Sequence, residues 1–220
     1  MKNVPKYGYI NKKGEFVVEP TLQKAGPFRG GVAQVKKNNK IGFINRDGEW
    51  VIEPRFRKVK SIGGDNGQLM KGSLKDGLKL IQARRNVSQK TFKSIKSYSQ
   101  NRAAVENMSG KWGYLNEDGE LVISPRFNKV KSFTNGVARV KTKKGWGVIN
   151  SSGTFLVSPE YQEVKPVSNN LFKVKKNGLW GVVSKEGKII VEPKFEHIGK
   201  LKDGRFTVRV IKEKKVSQEQ

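Results

Sequence analysis

The chain has 220 residues, and its 45 lysine and arginine residues outnumber 19 acidic ones to give a formal net charge of +26. It contains no cysteine and one histidine, His197, which excludes disulfides, thiolate metal sites, thiol nucleophiles and most multi-histidine metal sites. A hydrophobic fraction of 35% and a mean hydropathy of −0.63 are low for a single-core enzyme, yet ordered apolar runs argue against disorder.

The excess of positive charge has two interpretations. A surface this basic attracts polyanions such as nucleic acid, anionic lipid headgroups or anionic cell-wall polymers. Alternatively, the lysines only solvate the surface and bind nothing in particular. The N-terminal sequence has no apolar signal region and no window approaches the length of a membrane span, so we expect a cytoplasmic protein without a membrane span.

The first motif in chain order is a glycine that follows an aromatic or apolar residue, and it recurs at nearly constant intervals, one of which is twice as long as the others. The five copies of this glycine are Gly8, Gly42, Gly113, Gly147 and Gly181. Each is followed by a second glycine, then a proline, then a large apolar residue at constant spacing, as in Gly119, Pro125 and Phe127. Agreement at four positions in five copies establishes a tandem repeat.

The double interval between Gly42 and Gly113 hides one degenerate copy, from about Asp76 to Ser109. Phe92 takes the place after the proline, and Asn101–Val105 matches the later Gly136–Val140. Its turn glycine and proline are replaced by the basic stretch Gln82–Lys90, which includes Arg84 and Arg85. Either this copy has decayed or it has been diverted to a separate task.

Each unit has the pattern of a short antiparallel β-structure. Trp112–Asn116 and Glu120–Ile123 are rich in aromatic and β-branched residues and are separated by a polar turn, which predicts a hairpin that Pro125 ends. Val137–Lys141 predicts a third strand that pairs with the first strand of the next unit. The residues between Phe127 and this strand are predicted to be a link, which makes about three strands per unit.

With these residues identified, the chain resembles the bacterial WG-repeat (KWG-repeat) proteins. Trp112-Gly113, Trp146-Gly147 and Trp180-Gly181 carry the motif, and Tyr7-Gly8 and Ile41-Gly42 are weaker versions of it. The resemblance covers residues from about 7 to 212 and leaves no separate catalytic domain. It implies an all-β repeat fold and a role in binding or scaffolding, with no shared catalytic residues and no cofactor.

We therefore predict one WG-repeat domain over residues 1–220, in six tandem antiparallel β units of similar length, followed by a polar tail. The predicted units are residues 7–40, 41–75, 76–109, 110–144, 145–178 and 179–212, and the tail is 213–220. An open solenoid-like array is favoured because such a unit is short for a propeller blade, which usually has four strands. A closed six-bladed β-propeller is the alternative.

The tryptophan of each motif has two possible roles. An exposed indole could stack on bases or sugars, whereas a tryptophan at a fixed repeat position could pack against neighbouring units. Packing is favoured because Tyr7 and Ile41 replace tryptophan in two copies, and isoleucine cannot stack on a base as an aromatic ring does. The motif residues are therefore expected to be structural.

Lysines gather where the third strand turns into the next unit, and we predict that they form a basic rim. They are Lys36, Lys37, Lys40, Lys71, Lys75, Lys141, Lys143, Lys144, Lys175, Lys176, Lys212, Lys214 and Lys215. Ten of the nineteen acidic residues lie instead in the first hairpin of a unit, so stacking in register would separate the two charges. Such a rim could engage successive phosphates, or its lysines could merely protect strand edges from aggregation.

Catalysis has little support in the sequence, because the carboxylates recur with the repeat as turn residues do, and no phosphate-binding glycine loop opens a helix. We expect no enzyme activity, no metal and no cofactor. Three binding functions remain: a polyanion-binding module with nucleic acid as the first choice, a protein scaffold whose specific patch is formed by Arg84, Arg85 and the irregular Gly63–Gly72 loop, and a binder of a cell-envelope polymer. The sequence predicts no oligomeric state.

Overall fold

A computed structural model of the chain describes residues 5–63, 69–82, 86–87 and 90–210. Throughout these ranges the regular secondary structure is β, in twenty-four strands and without a helix. The prediction of an all-β fold built from tandem antiparallel units is confirmed. None of the described residues forms a helix long and apolar enough to cross a membrane.

The strands of the described residues form seven sheets, and none of these sheets closes into a barrel. Five are four-stranded meanders in which each strand pairs with the next one along the chain. The first consists of β3 (Lys24–Arg29), β4 (Val32–Lys37), β5 (Lys40–Asn45) and β6 (Trp50–Phe56). The second consists of β7 (Lys58–Gly63), β8 (Leu69–Ser73), β9 (Leu78–Gln82) and β10 (Asn86–Val87). The third consists of β11 (Ser94–Ser99), β12 (Arg102–Glu106), β13 (Trp112–Leu115) and β14 (Leu121–Phe127).

The remaining two meanders contain β15 (Lys129–Val130), β16 (Val137–Lys141), β17 (Trp146–Asn150) and β18 (Phe155–Tyr161); and β19 (Glu163–Pro166), β20 (Leu171–Lys176), β21 (Leu179–Ser184) and β22 (Ile189–Phe195). Two further sheets have two strands each: β1 (Tyr7–Ile10) with β2 (Phe16–Leu22), and β23 (His197–Lys202) with β24 (Arg205–Arg209).

The sheets are offset from the sequence repeat, because each four-stranded sheet takes its first two strands from one unit and its last two from the next. The predicted pairing of the third strand with the following unit is confirmed, since Lys141 on β16 lies opposite Trp146 on β17. The prediction of three strands per unit is wrong. The supposed link is a strand in every unit, for example β3 and β23, so one repeat period contributes four strands.

Tight turns explain how four strands fit into one short repeat period. Asn38 and Asn39 both have positive φ, of 50° and 60°, and Asn135 and Gly136 repeat this at 52° and 78°. Two consecutive residues with positive φ are the conformation of the type I′ turn, whose twist matches that of the paired strands. Asparagine and glycine adopt it at least cost, so the turn residues specify hairpins between adjacent strands.

The motif glycine and the proline meet at one irregularity of the sheet. Trp146 lies opposite Tyr161 and Val148 opposite Val157, so three residues of β18 bulge against Gly147 alone. A Cβ atom on Gly147 would lie 2.6 Å from the Val157 carbonyl oxygen, a distance that only glycine avoids. The expectation that proline ends this strand is wrong, because β18 continues through Pro159 in the bulge, where no ladder N–H is needed.

The core lies between successive sheets. One cluster joins Leu22 of β2 to Ala33, Val35 and Ile44 of the next sheet, and Trp50 packs against it. A later cluster joins residues of β16–β18 to residues of β19–β21 in the same way. In both clusters a sheet buries its apolar face against the next sheet, which is how a repeat array builds a core that one repeat alone would lack.

The degenerate third unit keeps the regular pairing outside its basic stretch. Leu78 bridges Phe92, as Trp146 pairs with Tyr161, which confirms the place predicted for Phe92. Ile95 and Val105 are paired and buried, as are the equivalent Val130 and Val140. Most of the stretch 82–90 lies outside the described residues. By its contacts the chain divides into two compact units, residues 1–125 and 126–220.

Candidate binding surface

The meander topology separates the lysine turns from the acidic turns within a sheet. In the sheet β3–β6, Lys37 and Lys40 are paired and flank the turn between β4 and β5, with Lys36 one residue earlier. Glu49 follows the next turn, between β5 and β6, and successive turns of a meander lie at opposite ends of the sheet. These lysines and this carboxylate therefore lie at opposite ends of one sheet.

The turn between β16 and β17 presents the most accessible pair of predicted lysines. Lys143 and Lys144 are exposed, while Lys141 is half-buried opposite Trp146. The Lys144 N–H donates to the Thr142 hydroxyl oxygen at 3.1 Å, and the Thr142 N–H donates to the Gly145 carbonyl at 2.8 Å. The backbone is thus held by its own turn, which forms without the ammonium group of either exposed lysine.

The corresponding lysines of the turn between β20 and β21 are engaged within the chain. The Lys176 ammonium donates to the Glu160 carboxylate at 2.8 Å, and this hydrogen bond raises the pKa of Lys176 above its ordinary value. Lys175 lies 5.7 Å from the centroid of the Trp180 ring. An anion at this turn would have to compete with Glu160, so the three lysine turns are not equivalent.

Two parts of the predicted basic surface lie outside the described residues. Arg84 and Arg85 are among them, as are Lys212, Lys214 and Lys215. The scaffold hypothesis that rests on Arg84 and Arg85 therefore stays a prediction.

The acidic turns are built by a recurring asparagine. The Asn45 side-chain oxygen accepts from the Glu49 N–H at 2.9 Å, and its amide nitrogen donates to the Glu49 carboxylate at 2.9 Å. Asn116 makes the same pair of contacts with Glu120. These carboxylates serve the hairpin turn, as their recurrence in the sequence predicts.

The motif tryptophans are half-buried, and Trp112 and Trp180 have ammonium groups over their rings. Trp180 has Lys165 at 5.0 Å and Lys173 at 5.7 Å from the ring centroid, in addition to Lys175. Lys96 lies 4.4 Å from the Trp112 ring, and Trp146 packs against the buried cluster of its own and the next sheet. The ammonium groups stabilise the Trp112 and Trp180 rings by cation–π contacts and occupy part of their faces.

A set of basic residues that the sequence does not single out connects neighbouring sheets. Lys71, Arg139 and Lys173 occupy the same position in their units, and each donates to a backbone carbonyl in the following sheet. The acceptors are the carbonyl oxygens of Ile95 at 2.7 Å, Val164 at 2.8 Å and Ile198 at 2.6 Å. Lys71, predicted to belong to the rim, is instead one of these inter-sheet donors.

Partial burial lowers the pKa of Arg139. The pKa of Lys71 is lowered mainly by burial and, to a smaller extent, by the positive charge of Lys60. The signal available in the sequence was a long basic residue at the third position of the third strand of a unit, seen as Arg139 and Lys173. A long chain with a donor at its end can reach a carbonyl in the adjacent layer, whereas the sequence alone shows only a charge.

Several solved structures are similar to this chain at low sequence identity. BamB from Moraxella catarrhalis is 11% identical with a TM-score of 0.36, and the match covers 83% of this chain and 65% of BamB, slightly less than two thirds of its length. The computationally designed Ika8 protein is 14% identical with a TM-score of 0.37, over 90% of this chain and 75% of Ika8. The WD40 β-propeller domain of Doa1 is 13% identical with a TM-score of 0.33, over 86% and 75%.

No curated protein sequence matches this chain significantly. The family model of the WG containing repeat matches residues 7–40, 41–67, 112–145, 146–180 and 180–214. These segments include every clear copy of the aromatic-glycine motif and omit the degenerate one. Since they cover well over half of the sequence, the chain belongs to the family of WG-containing repeat proteins.

Proposed function

We propose that this repeat module is a non-enzymatic binding protein of the cytoplasm that engages nucleic acid or another polyanion without sequence specificity. The observation that carries the proposal is the net charge of +26 together with lysines at turns opposite the acidic turns. Lys143 and Lys144 are the strongest candidates, because both are exposed and neither side chain supports the turn.

Two properties of the chain support a binding role without catalysis. The acidic side chains Glu49 and Glu120 are bound to turn asparagines, which leaves them poorly placed to transfer protons. His197 is an exposed residue of β23 and lies opposite Arg209. The lysines, by contrast, can contact phosphates in any sequence, since phosphate contacts carry no base information.

The test is a salt titration of binding to a generic DNA duplex and a generic single-stranded RNA. We expect binding at low salt and a linear fall of log K with log salt concentration, because each neutralised phosphate releases counterions. Undetectable binding to both probes at low ionic strength would contradict the proposal.

A matched pair of variants tests the assignment to the β16–β17 turn. Lys143→Ala with Lys144→Ala should weaken binding and reduce the slope of log K against log salt by about 1–2 for two lost phosphate contacts. Lys12→Ala with Lys13→Ala removes the same charge from exposed lysines of the β1–β2 turn, which is of the acidic class, and should leave that slope nearly unchanged. Equal effects of the two variants would show that only net charge matters.

A further inference from the structure

The two-stranded sheets β1–β2 and β23–β24 are complementary halves of the four-stranded sheet seen elsewhere in the chain. Every complete sheet has the order link strand, third strand, motif strand and second strand, as in β15, β16, β17 and β18. The sheet β23–β24 supplies the first two of these strands, and β1–β2 supplies the last two. Among the described residues, β24 is paired only with β23, and β1 only with β2.

Residues on the two unpaired edges are exposed where their counterparts are buried. Val208 on β24 is 48% exposed, whereas the equivalent Val140 and Val174 are 0% exposed. Ile10 on β1 is 62% exposed, against 0% for the equivalent Ile149. Burial of an isoleucine or valine side chain stabilises a protein by removing apolar surface from water. The sequence thus carries core residues at both edges with no core around them.

The repeat itself defines how the two edges would pair. Val140 lies opposite Gly147 and Lys141 opposite Trp146, and the same register recurs between β20 and β21. Transferred to the two edges, this register sets Val208 opposite Gly8 and Arg209 opposite Tyr7. The pairing of Arg209 with Tyr7 would reproduce Lys175 beside the Trp180 ring.

A groove lies beside the exposed edge of β24. It has a volume of about 660 Å³ and is lined by residues of β21–β24. Apolar side chains such as Ile190, Val191 and Val208 predominate, and Glu192, Lys194 and Arg205 also line it. In a complete stack, the turn glycine of the following hairpin covers the equivalent groove, since a Cβ on Gly187 would lie 2.0 Å from the Leu156 carbonyl oxygen.

The matching hairpin on the other edge has its turn glycine uncovered. Among the described residues, no atom outside its chain neighbours lies within 4 Å of the Cβ position of Gly14, whereas a Cβ on Gly48 would meet Val18 at 2.8 Å. The turn at Gly14 therefore has the shape to cover Ile190 and Val191, and these two surfaces fit one another in the same way as the internal junctions.

We propose that β24 of one copy pairs with β1 of a second copy, so that copies of this chain associate head to tail through a completed four-stranded sheet. A second copy is the occupant that the structure supports, because each edge carries the register, the buried-type residues and the turn that its counterpart requires. Strand β1 has no charged residue to block pairing, unlike a protected edge. The contact joins two different surfaces, so it can propagate from copy to copy.

Engineered cysteines test the register, since the chain has no native cysteine. Thr142 and Gly145 form the hydrogen-bonded pair next to Lys141 and Trp146, so Arg209 and Tyr7 would be a non-hydrogen-bonded pair, where side chains are closest. Both residues are exposed. A mixture of Tyr7→Cys and Arg209→Cys chains should oxidise to a disulfide-linked dimer of twice 24.7 kDa.

The control mixture replaces Arg209→Cys by Thr207→Cys, which lies on the same strand two residues away and should give several-fold less dimer. A chain that carries both Tyr7→Cys and Arg209→Cys should give a ladder of linked oligomers. Equal yields from the two mixtures, or a double variant that links within one chain and stays monomeric, would overturn the proposal.

Sedimentation of the full chain at about 0.3 M salt, which screens its self-repulsion, provides an independent measurement. The mean mass should rise with concentration, and Ile10→Lys should abolish this rise without loss of the β circular dichroism signal. Val122→Lys is the matched control on another exposed β-branched residue, and it should leave the association unchanged. A wild-type mass that stays at 24.7 kDa at all concentrations would overturn the proposal.

Discussion

At the scale of single residues, the basic side chains of this protein have two different roles. Lys143 and Lys144 extend from a turn that forms without them. Arg139 and Lys173 instead reach a carbonyl oxygen of the following sheet. In the sequence both kinds look like surface charge, because residue type does not show whether a long side chain ends in water or on a neighbouring backbone.

Arg139→Ala should lower the free energy of unfolding by about 1–3 kcal/mol, because it leaves the Val164 carbonyl without its partner. Arg139→Lys should recover part of this loss, since Lys173 makes the equivalent bond. Urea unfolding followed by circular dichroism measures the differences.

Arg57→Ala is the control for this pair, since Arg57 is exposed and the substitution is the same. Its free energy of unfolding should stay within about 0.5 kcal/mol of wild type. An equal effect of Arg139→Ala and Arg57→Ala would show that the inter-sheet bond contributes nothing to stability.

At the scale of the β-element, the repeated glycine and proline belong to one structural feature, a β-bulge. The proline strand bulges by three residues against a single motif residue, and only glycine has room there. The sequence shows this position as a glycine in every clear repeat, but it does not show why glycine is required there. The bulge depends on the pairing of the motif strand with the proline strand, so it becomes visible only when both strands are placed.

Gly147→Ala should destabilise the protein by about 3 kcal/mol, since its Cβ would lie 2.6 Å from a backbone oxygen that cannot move without breaking the bulge. Gly136→Ala is the reference, because it has φ of +78° but open space around its Cβ position. It should cost only the penalty of a left-handed alanine, about 1–2 kcal/mol. Thermal unfolding ranks the two variants, and the reverse order would contradict the role given to Gly147.

The fourth strand of each repeat was within reach of the sequence. Asn135-Gly136 and Asp203-Gly204 are among the strongest short hairpin signals, and each directly precedes the third strand of its unit. The link strand before each of these turns shows no obvious alternation of apolar and polar residues, and β15 (Lys129–Val130) has only two residues. The first strand of the hairpin was therefore hard to recognise in the sequence. The turn residues were a better guide here than the strand residues, because positive φ restricts residue choice more than pleating does.

At the scale of the whole molecule, the net charge has two effects. It destabilises the folded state through self-repulsion, and it favours binding of a polyanion. A charge of +26 repels itself, and salt screens this repulsion over about 10 Å at 0.1 M. Folding and polyanion binding should therefore respond to salt in opposite directions.

Raising sodium chloride from about 0.05 M to about 0.5 M should raise the thermal midpoint by a few degrees, as screening reduces repulsion in the folded state. A variant with Lys12→Glu and Lys13→Glu has a formal charge of 26 − 4 = +22 and should show a weaker salt response. Differential scanning calorimetry measures both midpoints. A midpoint that falls or does not change with salt would contradict this account.

The sequence by itself determined the repeat and its period and the all-β class. These properties are local or periodic, so they appear in spacing and residue type. The tertiary structure alone decided that sheets span two sequence units and that some basic residues connect sheets. It also decided that, among the described residues, two half-sheets each keep an edge strand without a further partner. Each of these depends on which strand lies beside which, and strand partners separated along the chain are chosen by packing and hydrogen bonding in three dimensions.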